Sequence, residues 1–315
     1  MYTRDNFDLA KEEINNRRQS AITLAEARAY EVYAKHKDIE KIDNELRASG
    51  LLIFKTACEG GDIEPIKAKN ASLRLQKSDL LKKYGYEADY TEPKFTCKEC
   101  ADTGYKKDRF CSCLKALVIE KNIASSGMGN LIKKQSFENF DLSCYKKDEQ
   151  GIDVMQHYFD VAKRFADEFG THSINLLMMG NCGSGKTHLS SSIAGVVLRR
   201  GFYVVYESAQ NIINDFEADK FKAGFKGEES KSDKYLECEL LIIDDLGAEF
   251  QTAFATSCLY TLINTRINRG LNTIISTNLS DAQLSGTYDG RIYSRLCGSD
   301  FFRLTFNTFD HRVEK

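Results

Sequence analysis

Residues 180–187 read GNCGSGKT, a full match to the spacing G-x-x-x-x-G-K-[ST]. Gly180, Gly183 and Gly185 allow the backbone to wrap closely around phosphate oxygens, and the N–H groups of the loop, Asn181, Cys182 and Ser184 included, point positive potential inward. Lys186 reaches for the β- and γ-phosphates, and the Thr187 hydroxyl is a ligand for Mg2+. His188 follows and completes the cofactor-binding set. The context fits: LLMM before the loop reads as a strand and HLSSSIAGVVL after it as a helix. The chemistry is that of ATP bound with Mg2+.

Phosphate chemistry also needs a carboxylate at the end of a neighbouring strand. Residues 240–245, LLIIDD, supply it: four apolar residues bury the strand and two acids emerge at its carboxyl end. Asp244 is assigned to Mg2+, and Asp245 to orienting or activating the attacking water. Asn278, at the tip of TIISTN, is placed beside the phosphate loop to position that water; the plainer alternative is a strand-end cap. In RIYSRL, a helix would put Arg291 and Arg295 on one face. An arginine there stabilises transferred charge at the γ-phosphate of a neighbouring copy, with Arg295 as the finger and Arg291 as its support. Surface salt bridging is the alternative.

A second constellation lies upstream. Cys97, Cys100, Cys111 and Cys113 form C-x2-C, a gap, then C-x-C. Four thiolates close a tetrahedral site, so the metal is structural; zinc is the first choice, and such sulfur sites also take iron. Redox thiols or incidental cysteines are the alternatives. Lys98, Lys106, Lys107, Arg109 and Lys115 surround the cluster, which leaves DNA contact open against ordinary solvated surface. The other six cysteines (Cys58, Cys144, Cys182, Cys238, Cys258 and Cys297) read as small buried hydrophobes.

The elements that position these residues follow from periodicity. Across residues 7–46, Ile22, Ala25, Ala29, Val32, Ile39, Ile42 and Leu46 recur at helical spacing, with His36 out of pattern. Breaks are expected at residues 48–50 and at Gly60-Gly61 with Pro65, before a second helix leading to the cysteines. From Gly151 apolar strands alternate with helices, which predicts a parallel sheet flanked by helices on both faces. The expected division is a helical partner-docking region over 1–94, a zinc module over 95–116, a linker and pre-core segment over 117–150, and the ATPase domain over 151–315. The chain has 42% hydrophobic residues and a net charge of −2, so nucleic acid would be met through a local patch rather than bulk charge. No stretch has the length of a membrane span and the N-terminus lacks a signal-peptide core, so the reading is cytoplasmic.

In order, GNCGSGKTHL, LLIIDDLGAE, TIISTN and RIYSRL resemble the AAA+ ATPases of the bacterial helicase-loader group, the DnaC/DnaI type. The IstB-type transposition helpers share this core. The likeness covers roughly residues 130–315, with SFENFDLSCY similar to the segment that precedes the core. TCKECADTGY and CSCLK resemble the cysteine-rich module of many Gram-positive and phage loaders. The resemblance implies an ATP-dependent loader that self-associates through its AAA+ domain, binds the hexameric replicative helicase through its N-terminal region and contacts single-stranded DNA. An IstB-type helper on duplex DNA is the alternative, as is an adaptor using ATP only as a structural ligand. Asp245 stands where AAA+ proteins at large carry Glu. Residues after FFRLTF leave little room for a lid, which argues against a second sensor arginine; Arg312 is the weak candidate for that role. DNA-contact candidates are the basic stretch 220–226 and Asn268-Arg269.

Overall fold

The computed structural model describes residues 4–107, 109–147, 151–222 and 230–307. Arg312 and residues 223–226 of the basic stretch lie outside them. The chain divides into two compact units, Ala10–Leu114 and Lys115–Lys315 with Met1–Leu9.

The first unit is built on α1 (Arg4–Lys35) from Ala10 onward, α2 (Lys37–Cys58) and α3 (Glu64–Lys83). The single helix implied by the stripe over 7–46 is in fact two. His36 is extended, at φ −135° and ψ 90°. Its ring stacks on Tyr84 at 3.8 Å, while the Tyr84 hydroxyl donates to Asp38 in the first turn of α2. The residue that broke the apolar pattern is therefore the residue that breaks the helix. Conversely, the break expected at 48–50 is absent, and α2 runs through Gly50 to Cys58. One glycine in a helix interior costs only about 1 kcal/mol, too little to end it. The stripe still faces inward: Ala29, Val32 and Ile39 pack with Tyr33 and Leu81. Beneath them Lys77 bonds Asp43 at 2.8 Å, and Tyr33 donates to the same carboxylate. Two short strands, β1 (Tyr105–Lys106) and β2 (Arg109–Phe110), form an antiparallel hairpin between the two cysteine pairs.

Helices α4 (Ser112–Ser125) and α5 (Gly129–Lys134) precede two 3-10 turns at Phe137–Asn139 and Leu142–Lys147. There follow α6 (Gly151–Asp167), β3 (Asn175–Gly180), α7 (Lys186–Arg199), β4 (Val204–Ser208), α8 (Ala209–Lys222), α9 (Asp233–Glu237) and β5 (Leu240–Leu246). The chain continues through α10 (Ala253–Asn268), β6 (Asn272–Thr277), α11 (Asp281–Thr287), α12 (Gly290–Cys297) and β7 (Phe301–Phe306).

The five long strands form one sheet in the order β4-β5-β6-β3-β7, parallel throughout. The expected α/β core with flanking helices is what the structure shows. Successive strand residues feed opposite cores. Leu177, Met179, Leu241, Ile243 and Ile275 pack on α8, α10 and α12, whereas Leu176, Met178, Leu240, Ile242 and Ile274 pack on α6 and α7. Burial on both faces explains why these strands read as unbroken apolar runs. One expectation changes. The acid-bearing strand β5 is not next to the phosphate-loop strand β3; β6 lies between them.

Candidate nucleotide site and metal centre

The loop 180–187 leaves β3 and enters α7, and it borders a cavity of about 1110 Å³. Gly185 sits at φ +97° and Gly183 at φ +71°, left-handed values that favour glycine. A Cβ on Gly185 would lie 2.3 Å from the Tyr145 hydroxyl, and one on Gly180 would lie 2.2 Å from the Phe306 carbonyl. The loop's backbone is thus free to approach a phosphate on its open side and is tightly packed behind. Cys182, Gly183, Ser184, Gly185, Lys186 and Thr187 all line the cavity.

Lys186 is nearly buried. Its ammonium donates to the Gly180 carbonyl at 2.8 Å, the Asn181 carbonyl at 2.7 Å and Asn278 Oδ1 at 2.9 Å. Asn278 in turn donates through Nδ2 to Asp245 Oδ1 at 3.1 Å. The residue that follows the interposed strand β6 therefore joins the loop to Asp245. Asp244 and Asp245 both border the cavity. Asp244 accepts hydrogen bonds from the Tyr206 hydroxyl on one oxygen and from Ser276 Oγ on the other. Tyr206 and Ser276 went unnoticed in the sequence, since only the register β4-β5-β6 brings them to Asp244. Burial, with Asp244 beside it, pushes the Tyr206 phenol well above its usual range, so it stays a donor. Ile243 faces Ile275 and Leu246 faces Thr277, so β5 holds one extra residue at the two acids. Past them, buried Glu249 accepts from Gly247 N–H at 2.7 Å and from the Tyr288 hydroxyl, which fixes the following loop.

His188 is spent on a different task. Its Nε2 lies 3.0 Å from the Ser136 carbonyl and 2.9 Å from Asn139 Oδ1, and its ring meets Phe140 edge-on. Burial holds its pKa below the ordinary value. The segment 136–145 forms one wall of the cavity. Phe140 stacks with Tyr145, whose hydroxyl donates to the Ser184 carbonyl at 3.2 Å. Its spaced aromatics were the available signal.

Arg291 and Arg295 lie on α12 and share a face: both guanidiniums sit over the Tyr260 ring, at 5.0 and 4.7 Å. Arg295 also donates to Asn264 Oδ1 at 2.8 Å, and Arg291 pairs with Asp289 at 3.0 Å. Neither lines the cavity of its own chain. Arg269 turns to the Leu236 carbonyl, at 3.3 Å.

The sulfurs of Cys97, Cys100, Cys111 and Cys113 all lie within 4.8 Å of one another. Cys97 and Cys111 are 3.8 Å apart, and Cys100 and Cys113 are 3.5 Å apart. A tetrahedral ion with metal–sulfur bonds of about 2.3 Å requires edges of about 3.8 Å, so the donor set fits zinc. Burial alone would raise the Cys100 thiol. The Gly104 N–H and the three neighbouring thiols outweigh it and bring Cys100 below the ordinary thiol value. Asp102 is nearly buried and accepts from the Thr96 and Cys97 N–H groups at 2.7 and 2.8 Å, holding the first knuckle. Of the scattered cysteines only Cys238 is buried. Cys58, Cys144 and Cys182 are exposed, and Cys258 and Cys297 are half-buried. Cys144 and Cys182 depart from the expectation because both border the open cavity.

A parallel sheet with a glycine-rich loop running from strand into helix, and acids on a strand end across the cavity, defines a P-loop nucleotide-binding protein. The profile of the IstB-like ATP binding protein family matches residues 125–293, more than half of the chain, and the chain belongs to that family. It is 22% identical over 198 residues to the replicative helicase loader DnaC of Buchnera aphidicola subsp. Schizaphis graminum, covering 63% of this chain and 77% of that one. It is 21% identical, with the same coverage, to the replicative helicase loader DnaC of Escherichia coli strain K12. Among solved structures, a DnaC helicase loader aligns over 56% of this chain and 99% of its own, with 19% identity and a TM-score of 0.47. A replication initiator DnaA bound to AMPPCP and single-stranded DNA aligns over 54% of this chain and 50% of its own, with 20% identity and a TM-score of 0.45. Among the described residues no helix is long and apolar enough to cross a membrane.

Proposed function

We propose that this chain is an AAA+ ATPase that binds a hexameric replicative DNA helicase and delivers it to single-stranded DNA. The chain Lys186–Asn278–Asp245 around one cavity is the observation that carries the ATPase part. The curated relatives named as replicative helicase loaders support the rest.

In this reading the loop 180–187 cradles the phosphates of ATP and Lys186 binds the β- and γ-phosphates. Thr187 and Asp244 are the residues that would hold Mg2+, which supplies charge to the phosphate oxygens. Asp245 orients the attacking water, and Asn278 fixes Asp245 relative to Lys186. His188 anchors the wall at 136–140. Arg295, supported by Arg291, completes the site of a neighbouring copy, so ATP binding promotes self-association. Residues 1–94 dock the partner, 95–116 hold zinc through the four cysteines, 117–150 connect, and 151–315 form the motor.

Native mass spectrometry of the full chain with the host's hexameric helicase, with and without ATP, tests this. A defined complex supports the loader. Absence of a complex in both conditions removes it and favours an ATPase helper of a transposase on duplex DNA. That second reading has its own support in the IstB-like family match. Filaments on duplex DNA would identify it.

A further inference from the structure

We infer that Ser276 is a positioning residue: it holds Asp244 and Asp245 toward one cavity, and Tyr206 fixes the second oxygen of Asp244. The inference rests on the ATP-site reading above.

In a regular strand consecutive side chains point to opposite faces. Asp244 and Asp245 would then serve opposite sides of the sheet. They do not, because β5 carries its extra residue here and Asp245 turns to φ +52°. That left-handed conformation is disfavoured for a residue with a Cβ. It persists only where the surroundings hold it.

Ser276 supplies the hold. Its Oγ accepts from the Asp245 N–H at 3.1 Å and donates to Asp244 Oδ1. One hydroxyl thus satisfies the backbone of one acid and the carboxylate of the other. The residue is 1% exposed, so water does not compete for it. Tyr206, on β4, donates to Asp244 Oδ2 from the far side. Each Asp244 oxygen keeps further acceptor capacity. Asp245, turned out of the strand, is left where Asn278 can meet it.

The test compares the parent, Ser276→Ala, Ser276→Thr and Tyr206→Phe, all as full-length protein. Two measurements are made: amide hydrogen exchange at Asp245 without nucleotide, and affinity for a fluorescent ATP analogue in EDTA and across a Mg2+ titration. Ser276→Ala should exchange the Asp245 amide about tenfold faster and lose about tenfold of the Mg2+-dependent gain in affinity, as expected for a lost bond to a charged group. Its affinity in EDTA should stay parental, since the loop and Lys186 are intact. Ser276→Thr keeps the hydroxyl and should restore both properties. Tyr206→Phe should weaken the Mg2+ response and leave Asp245 exchange unchanged.

Parental exchange and a parental Mg2+ response in Ser276→Ala overturn the inference. Should that variant not fold, Ser276→Cys, nearly the same size but a weak hydrogen-bonding group, decides by the same two readouts: parental exchange and Mg2+ response overturn the inference, and losses in both support it. A parent protein with no affinity in either buffer overturns the ATP-site reading itself, and the inference with it.

Discussion

Asn278 joins Lys186 to Asp245: it accepts from the lysine ammonium at 2.9 Å and donates to the aspartate at 3.1 Å. One amide thereby sets the separation between the group assigned to phosphate and the group assigned to water. Asn278→Ala should leave ATP affinity within a few-fold of the parent and slow hydrolysis roughly a hundredfold, the scale of losing one oriented polar group. Phosphate release alongside equilibrium binding measures both. Parental turnover would remove Asn278 from the site.

Lys186→Ala should abolish measurable ATP binding, because the charge-assisted bonds to phosphate have no substitute in the loop. Titration of a fluorescent nucleotide checks this. Normal affinity in the variant would sink the assignment of the loop.

Arg295 and Arg291 lie off their own chain's cavity, stacked on Tyr260. Arg295→Ala should bind ATP normally and hydrolyse it at least tenfold more slowly, given the cost of a missing arginine finger. Mixing it with Lys186→Ala should recover part of the activity, since each supplies what the other lacks. Failure of the mixture to exceed the sum of its parts would argue against a shared site.

The state of His188 gives a pH dependence of known sign. Burial disfavours its charged form in the folded chain, whereas the unfolded chain takes up the proton near the ordinary value of about 6.5. The unfolded state therefore binds more protons below that pH, and the stability His188 contributes is present above it and lost on acidification. The melting temperature should fall between pH 7 and 5 more steeply in the parent than in His188→Gln. Equal slopes would show that His188 is not the titrating group.

Metal analysis should find about one zinc per chain, the stoichiometry of a single four-thiolate site. Cys111→Ser should lose most of it, and a strong chelator should expose the segment 95–114 to protease. Metal-free parent protein with the same protease resistance would leave the cysteines without a structural ion.

What was legible in the sequence was whatever depends on local spacing. The phosphate loop, the cysteine quartet and the pair Arg291/Arg295 are each defined within one short segment, and their side chains come together as the spacing requires. Asp244 and Asp245 were legible as residues but not as a geometry, because nothing in LLIIDDLG announces the extra residue or the turned backbone of Asp245. Tyr206 and Ser276 were invisible for another reason. They reach Asp244 only through strand register, a property of the sheet rather than of any one segment. The same holds for β6 lying between β3 and β5. The continuous helix through Gly50 shows the converse error, in which a local breaker was outweighed by the residues on either side.

Among the described residues, strand β3 pairs with β6 and β7 and with no other strand. As the chain leaves the ribosome, the strand that carries the phosphate loop has no partner until Asn272 and then Phe301 follow it out. At about 5–20 residues per second that wait is on the order of ten seconds. During it, β4 and β5 can pair with each other while LLMM remains an uncovered apolar run. The strand that leads into the phosphate loop is thus completed among the last, and a chaperone meeting the nascent chain would find an uncovered apolar run there.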